Sequence, residues 1–258
     1  ATALLCWLAG IPLVAARCRE NPYHLVTNWV REDESERVFR HDVERQLSLV
    51  AALGAPPPQD GSLAFRVDES DRRAADAIIA AHGLRPGHWC MLHPGASAAS
   101  RRYPSESFAA AARSLITRDR WRVIVTAGPG EEALGVDTAR LAGGGAAVMS
   151  GLSLGMLAAL IEAAPVLIAN NSGPAHLAAA VGTPVVDLYA LTNPQHAPWG
   201  VPHRLLFHDV PCRFCYRSVC PEGHHRCLTL VDPEQVAEAA RDLAAGHVRG
   251  EVTAMAGP

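Results

Sequence analysis

Chemistry in this chain concentrates in a few short polar loops that follow apolar runs. The first is Asn171-Ser172-Gly173-Pro174-Ala175-His176, directly after the apolar run Val166-Leu167-Ile168-Ala169. Asn171 or Ser172 can cap a helix, Gly173 allows close approach to the backbone, and Pro174 suits the first helical position. A helix N-terminus exposed at the end of a buried strand offers free N–H groups and the positive end of a dipole, which together bind anions and phosphates above all. A well-capped strand–helix corner without a ligand has the same sequence.

Two more loops of this kind precede it. His93-Pro94-Gly95-Ala96-Ser97 leads into Arg101-Arg102-Tyr103-Pro104. It offers backbone and hydroxyl donors next to guanidinium groups, the preferred bidentate partners of phosphate. A solvated loop carrying an ordinary basic pair reads the same way. Gly128-Pro129-Gly130-Glu131-Glu132 follows another strand-like run. A carboxylate there can accept hydrogen bonds from ribose hydroxyls, although acids at a helix start are also favoured by the dipole alone. Three such loops at the ends of strands in one sheet would suit a ligand with a diphosphate and a ribose.

Cys212, Cys215, Cys220 and Cys227, with His224 and His225, form a fourth cluster. Four thiolates, or three and one imidazole, satisfy tetrahedral zinc. The overall spacing departs from a zinc ribbon, and reduced cysteines in a compact loop or a disulfide pair remain open alternatives. The preferred expectation is no metal.

The elements that must position these loops alternate regularly. Strands are expected at residues 63–67, 89–93, 121–127, 146–149, 166–169 and 184–189, and helices at 38–53, 71–82, 104–117, 131–141, 153–163 and 232–245, with Ser105 capping the helix at 104–117. Such alternation implies a doubly wound parallel sheet, whose ligands sit at the carboxyl ends of the strands. The opening stretch reads as a buried helix stopped at Gly10, then a strand at 11–16. It has no basic n-region and is too short to cross a bilayer, so a chain opening inside a core element reads as a fragment. The Pro-rich stretch at 55–61 is a linker. The 258 residues carry a formal net charge of -3 and are 49% hydrophobic. That is globular composition without the basic face of a nucleic-acid binder. His41, His82, His88, His196 and His203 show no partner in sequence, and their expected roles are on the surface or in satisfied core positions.

The ordered set of motifs resembles glycosyltransferase family 9, the ADP-heptose:lipopolysaccharide heptosyltransferases. His93-Pro94-Gly95-Ala96-Ser97 is similar to the start of that family's C-terminal domain. Arg101-Arg102-Tyr103-Pro104 is similar to its Lys-Arg-Trp-Pro motif, and Gly128 with Glu131 and Glu132 to its Gly-x-x-x-Glu turn. Asn171-Ser172-Gly173-Pro174-Ala175-His176 resembles its Asp-Ser/Thr-Gly-x-x-His motif, with Asn171 at the Asp position. The cysteine segment resembles one common in the heptosyltransferase II branch.

The resemblance implies a GT-B fold of two Rossmann-like domains, here an incomplete N-terminal one with its linker at 1–70 and a donor-binding one at 71–258. It implies inverting, metal-independent transfer of a heptose from ADP-heptose to the lipopolysaccharide inner core, without a cofactor. The expected setting is the cytoplasm, with peripheral contact at the inner face of the inner membrane. By the same carry-over, Ser97 and Arg101 meet the diphosphate, Glu132 or Glu131 holds the ribose, Ser172 and Gly173 give backbone N–H groups, and Asn171 and His176 lie close by. The family's catalytic Asp sits in an N-terminal loop that nothing in residues 1–54 matches. Asp33, Asp42 and Glu44 fall in segments corresponding to later parts of that domain. A donor-binding fragment without transfer, or a GT-B transferase for another nucleotide-sugar, are the alternatives.

Overall fold

The computed structural model describes residues 2–32, 39–56 and 58–248. The expected polar loop around Asp33 and the expected helix start at Val38 lie outside these. The chain forms two compact units, Ala1–Gly61 with Asn193–His196, and Ser62–Thr192 with Ala197–Pro258.

The smaller unit contains α1 (Thr2–Leu8), the strands β1 (Ala15–Cys18) and β2 (Asn28–Arg31), and α2 (Asp42–Ala51). The strands pair in parallel, Ala15 opposite Asn28 and Cys18 opposite Arg31. The expectation of a buried first helix is corrected: no residue of α1 is buried, and Leu5, Trp7 and Leu8 are each more than 60% exposed. Apolar composition gives a helix the capacity for burial, but only a facing element achieves it. The strand also starts later than expected, at Ala15. The start of α2 is fixed by a capping box, in which His41 Nδ1 accepts from the Val43 N–H and the Glu44 carboxylate accepts from the His41 N–H. These two contacts satisfy N–H groups that a helix start otherwise leaves unpaired, and they give His41 the partner its sequence context did not show.

The larger unit is built on six strands: β3 (Trp89–His93), β4 (Arg122–Thr126), β5 (Ala146–Met149), β6 (Leu167–Asn170), β7 (Val185–Leu188) and β8 (His203–Leu206). All neighbours are parallel, in the order β5-β4-β3-β6-β7-β8. The helices are α3 (Glu69–Ala81), α4 (Ser105–Asp119), α5 (Glu132–Ala142), α6 (Leu154–Ala163), α7 (Gly173–Val181), α8 (Arg226–Thr229) and α9 (Pro233–Val248).

Alternation along the strands sorts their side chains onto two faces. Cys90, Leu92, Val123, Val125, Ile168, Val186 and Leu188 meet α4, α5 and α9 on one face. Met91, Ile124, Leu167, Ala169 and Val185 meet α3, α6 and α7 on the other. With both faces covered, the strands read as continuous apolar runs, the form that buried parallel strands take. Phe108 of α4 is fully buried and meets Tyr103 edge to face, with ring centroids 4.9 Å apart. Phe108→Ala is expected to cost about 3–5 kcal/mol, read as a lowered midpoint in chemical unfolding.

Two local expectations are corrected. Residues 63–67 form no strand; Leu63 and Phe65 pack against the α3–α6 side instead, with no neighbouring strand to complete a ladder. Ser105 does not cap α4. Pro104 occupies the cap position, and the Ser105 hydroxyl donates to Glu106.

The strand order reverses between β3 and β6. Chain direction carries α4 away to one side and α7 to the other, which opens a crevice beyond the carboxyl ends of these two strands.

Candidate functional site

The loops after β3 and β6 meet at this crevice, and one side chain ties them together. Asn170, the last residue of β6, is wholly buried. Its Nδ2 donates to the Pro94 carbonyl at 2.7 Å, and its Oδ1 accepts from the Tyr103 N–H at 2.9 Å. The loop holding the two arginines is thereby fixed against the start of α7.

Helix α7 begins at Gly173, so Pro174 takes the second helical position rather than the first. Ser172 is the cap residue, but its hydroxyl donates to the Asn170 carbonyl at 3.1 Å and makes no cap bond. The N–H groups of Ala175 and His176 bond to the Ser172 carbonyl. Among the described residues, the N–H groups of Ser172 and Gly173 have no protein partner, the condition in which a helix start can receive an anion. A Cβ placed on Gly173 would meet nothing within 4 Å. The space beside this backbone is open.

Glu131 reaches the same crevice from the loop after β4. Its carboxylate lies 3.8 Å from His93 Nε2 and 3.6 Å from an Arg102 nitrogen. This approach requires a glycine at position 95, because a Cβ there would stand 1.9 Å from Glu131 Oε2. Arg102 Nε also donates to the Ala96 carbonyl at 2.7 Å. His93 is buried with Nδ1 at 3.0 Å from Thr126 Oγ1. Burial lowers its pKa, against the opposing pull of Glu131. A cleft of about 430 Å³ adjoins this cluster, lined by Arg102, Tyr103, Glu106, Gly130, Glu131 and Leu134 among others.

Of the residues singled out in sequence, Ser97 is exposed in the β3 loop and His176 is exposed on α7. Arg101 is half-buried, and its Nε has no hydrogen-bond partner among the described residues. Glu131 turns inward to His93 and Arg102, whereas Glu132 opens α5 and accepts from the Gly130 N–H at 3.1 Å. Asn171 is buried, and its Nδ2 donates to Asp187 Oδ2 at 2.9 Å.

The sequence placed His93 in the first of these loops without a role for its side chain, and it singled out neither Asn170 nor Asp187. The signal available was a polar residue ending, or interrupting near its carboxyl end, an otherwise apolar strand.

Asp187 is fully buried, and burial pushes its carboxyl up to about 7, against the hydrogen bond from Asn171 and the charge of Arg101. A folded pKa raised above the unfolded one gives stability at low pH that is lost as pH rises through the folded value. The unliganded protein is therefore expected to lose stability between about pH 4 and about pH 7, at about 1.4 kcal/mol per pH unit at most. Thermal unfolding across this range should show a steeper decline for the native chain than for Asp187→Asn.

Cys212, Cys215, Cys220 and Cys227 are free thiols and line one small cavity with His224, His225 and Ser100. Burial and the other three thiols raise the Cys227 pKa. At Cys220, burial is outweighed by backbone contacts with residues 222–225, and the pKa falls. Among the described residues, no group of three or more His, Cys, Asp or Glu is arranged to hold a metal ion. The Ser100 N–H donates to the Ser218 carbonyl at 3.2 Å, which attaches the cysteine segment to the arginine loop.

A parallel sheet with a switch-point crevice places the chain among the open α/β proteins, whose ligands sit at the carboxyl ends of the strands. The chain belongs to glycosyltransferase family 9 (heptosyltransferase), whose model matches residues 1–225. Lipooligosaccharide heptosyltransferase 2 of Campylobacter jejuni is 37% identical over 78 residues, 30% of this chain and 24% of the relative. A family 9 glycosyltransferase from Veillonella parvula superposes with a TM-score of 0.74 at 24% identity, covering 95% of this chain and 70% of that one. The ADP-heptose lps heptosyltransferase II of E. coli superposes with a TM-score of 0.67 at 22% identity, covering 96% of this chain and 74% of that one. These two likenesses establish the GT-B type of α/β fold. The matches to the curated relatives span 24% to 58% of those proteins' own lengths. Among the described residues, no helix is long and apolar enough to cross a membrane.

Proposed function

We propose that the larger unit binds a nucleotide-sugar donor, ADP-heptose, and serves inverting, metal-independent transfer of its heptose to a lipopolysaccharide core acceptor. The observation that carries this reading is the open start of α7, where the N–H groups of Ser172 and Gly173 have no acceptor among the described residues, with the arginine loop stitched beside it by Asn170. Family membership supplies the reaction class, and the structural neighbour from E. coli is an ADP-heptose lps heptosyltransferase II.

In this reading the diphosphate lies at the start of α7, where the backbone N–H groups and Arg101 meet its charge. During inversion the acceptor hydroxyl attacks the anomeric carbon from the face opposite the leaving group, and ADP departs. The same positive groups stabilise the charge that develops on the leaving diphosphate, which is where an enzyme gains rate. Ser97 adds a hydroxyl from the neighbouring loop, and Glu132 or Glu131 accepts from the ribose in the adjoining cleft. The reaction takes place at the cytoplasmic face of the inner membrane, with contact that is peripheral.

A second reading, donor binding without transfer, is favoured by the smaller unit. There the Glu44 carboxylate is used in the α2 capping box, and Glu32 is paired with Arg45. Incubation of the chain with ADP-heptose and heptose-deficient core lipopolysaccharide separates the two. Release of ADP with a heptosylated product supports transfer, and ADP-heptose binding without release supports the second reading. In either case Arg101→Ala is expected to weaken ADP binding about 10- to 100-fold, the range for a charge-assisted contact. Unchanged affinity by titration calorimetry would remove Arg101 from the site.

A further inference from the structure

We infer that Asp187 is a positioning residue for the diphosphate-binding groups, holding Asn171 on the loop that leads into α7 by a hydrogen bond. The inference rests on the donor-site reading above.

Strand β7 reads Val185-Val186-Asp187-Leu188, and every one of these residues is buried. Three are apolar and serve the core. A carboxylate in the same strand carries a desolvation penalty that an apolar residue would avoid. Asp187 stands beside Ala169 of β6, one residue before the Asn170 that ties the two loops. Its position is the carboxyl end of a strand next to the switch point, where side chains serve ligands more than packing.

Its two oxygens are used unequally. Oδ2 accepts from Asn171 Nδ2 at 2.9 Å, on the loop that leads into α7. Among the described residues, Oδ1 is buried with no hydrogen-bond partner. Arg101 Nε is buried in the same condition, and the charge of Arg101 acts on the Asp187 carboxyl. A buried carboxylate oxygen and a buried guanidinium nitrogen that each lack a hydrogen-bond partner are a costly arrangement for a fold to keep. A guanidinium nitrogen left without a protein acceptor stays available to an anion.

Three proteins test this by titration calorimetry with ADP and by thermal unfolding of the unliganded form at about pH 8: the native chain, Asp187→Asn, and the exchange of Asn171→Asp with Asp187→Asn. The single variant is expected to bind ADP about tenfold or more weakly while melting at the same temperature as the native chain or higher, because it removes a buried charge. The exchange restores a carboxylate to the pair and is expected to recover affinity to within about threefold of native. Native affinity in Asp187→Asn, no recovery in the exchange, or weakened binding together with a lower melting temperature each overturns the inference. Failure of the native chain itself to bind ADP overturns the donor-site reading instead.

Discussion

Gly173→Val is expected to lower ADP affinity by about 100-fold or more while shifting stability by no more than about 0.5–1 kcal/mol. The two parts of this expectation have separate grounds. The backbone of Gly173 does not require positive φ, and a side chain built there meets no protein atom within 4 Å, so the fold accepts the change. The space that the new methyl groups fill is the approach to the N–H groups of Ser172 and Gly173, and two charge-assisted contacts are lost together. Calorimetric titration paired with thermal unfolding reads both. Undiminished ADP affinity in a folded Gly173→Val protein would show that the start of α7 is not where the nucleotide binds.

Asn170→Ala is expected to act in the opposite way, through the fold. Removing its amide leaves the Tyr103 N–H and the Pro94 carbonyl without their partner in a buried setting. Each such group costs about 1–3 kcal/mol, so a loss of about 2–6 kcal/mol is expected in urea unfolding. The loop carrying Arg101 and Arg102 loses its tether to β6 in the same step, and ADP affinity should fall in whatever fraction remains folded. A loss below about 1 kcal/mol would mean that water or a rearranged loop replaces the contact.

The parallel sheet was legible because its strands are buried on both faces. Trp89–His93 and Ala146–Met149 fall at their expected bounds, and the other expected strands of the sheet differ by one residue at each end. Strand β8, His203–Leu206, was not legible. Its four residues are only half-buried at the sheet's edge and have neither a long apolar run nor clean alternation. Residues 63–67 erred the other way, since β-branched and aromatic composition describes a residue's fitness for a sheet but cannot supply a partner strand.

At the site, the loops were visible because glycine, serine and arginine cluster there. The residues beneath them were not. Asp187 and Asn170 are single polar residues in or at the end of apolar strands, and a single residue has no spacing to read. Their roles come from which loops the sheet order brings together, and that order is a tertiary fact. Glu131 shows the same limit: its nearness to His93 and Arg102 depends on Gly95, which lies 36 positions away in the chain.

The central claim, a diphosphate site at the start of α7, is tested most directly by titrating the native chain with ADP and repeating the titration in inorganic pyrophosphate. The account predicts saturable binding at one ADP per chain, with pyrophosphate competing for the same site and affinity falling as salt is raised. Absence of saturable binding, or ADP binding indifferent to pyrophosphate, would contradict it.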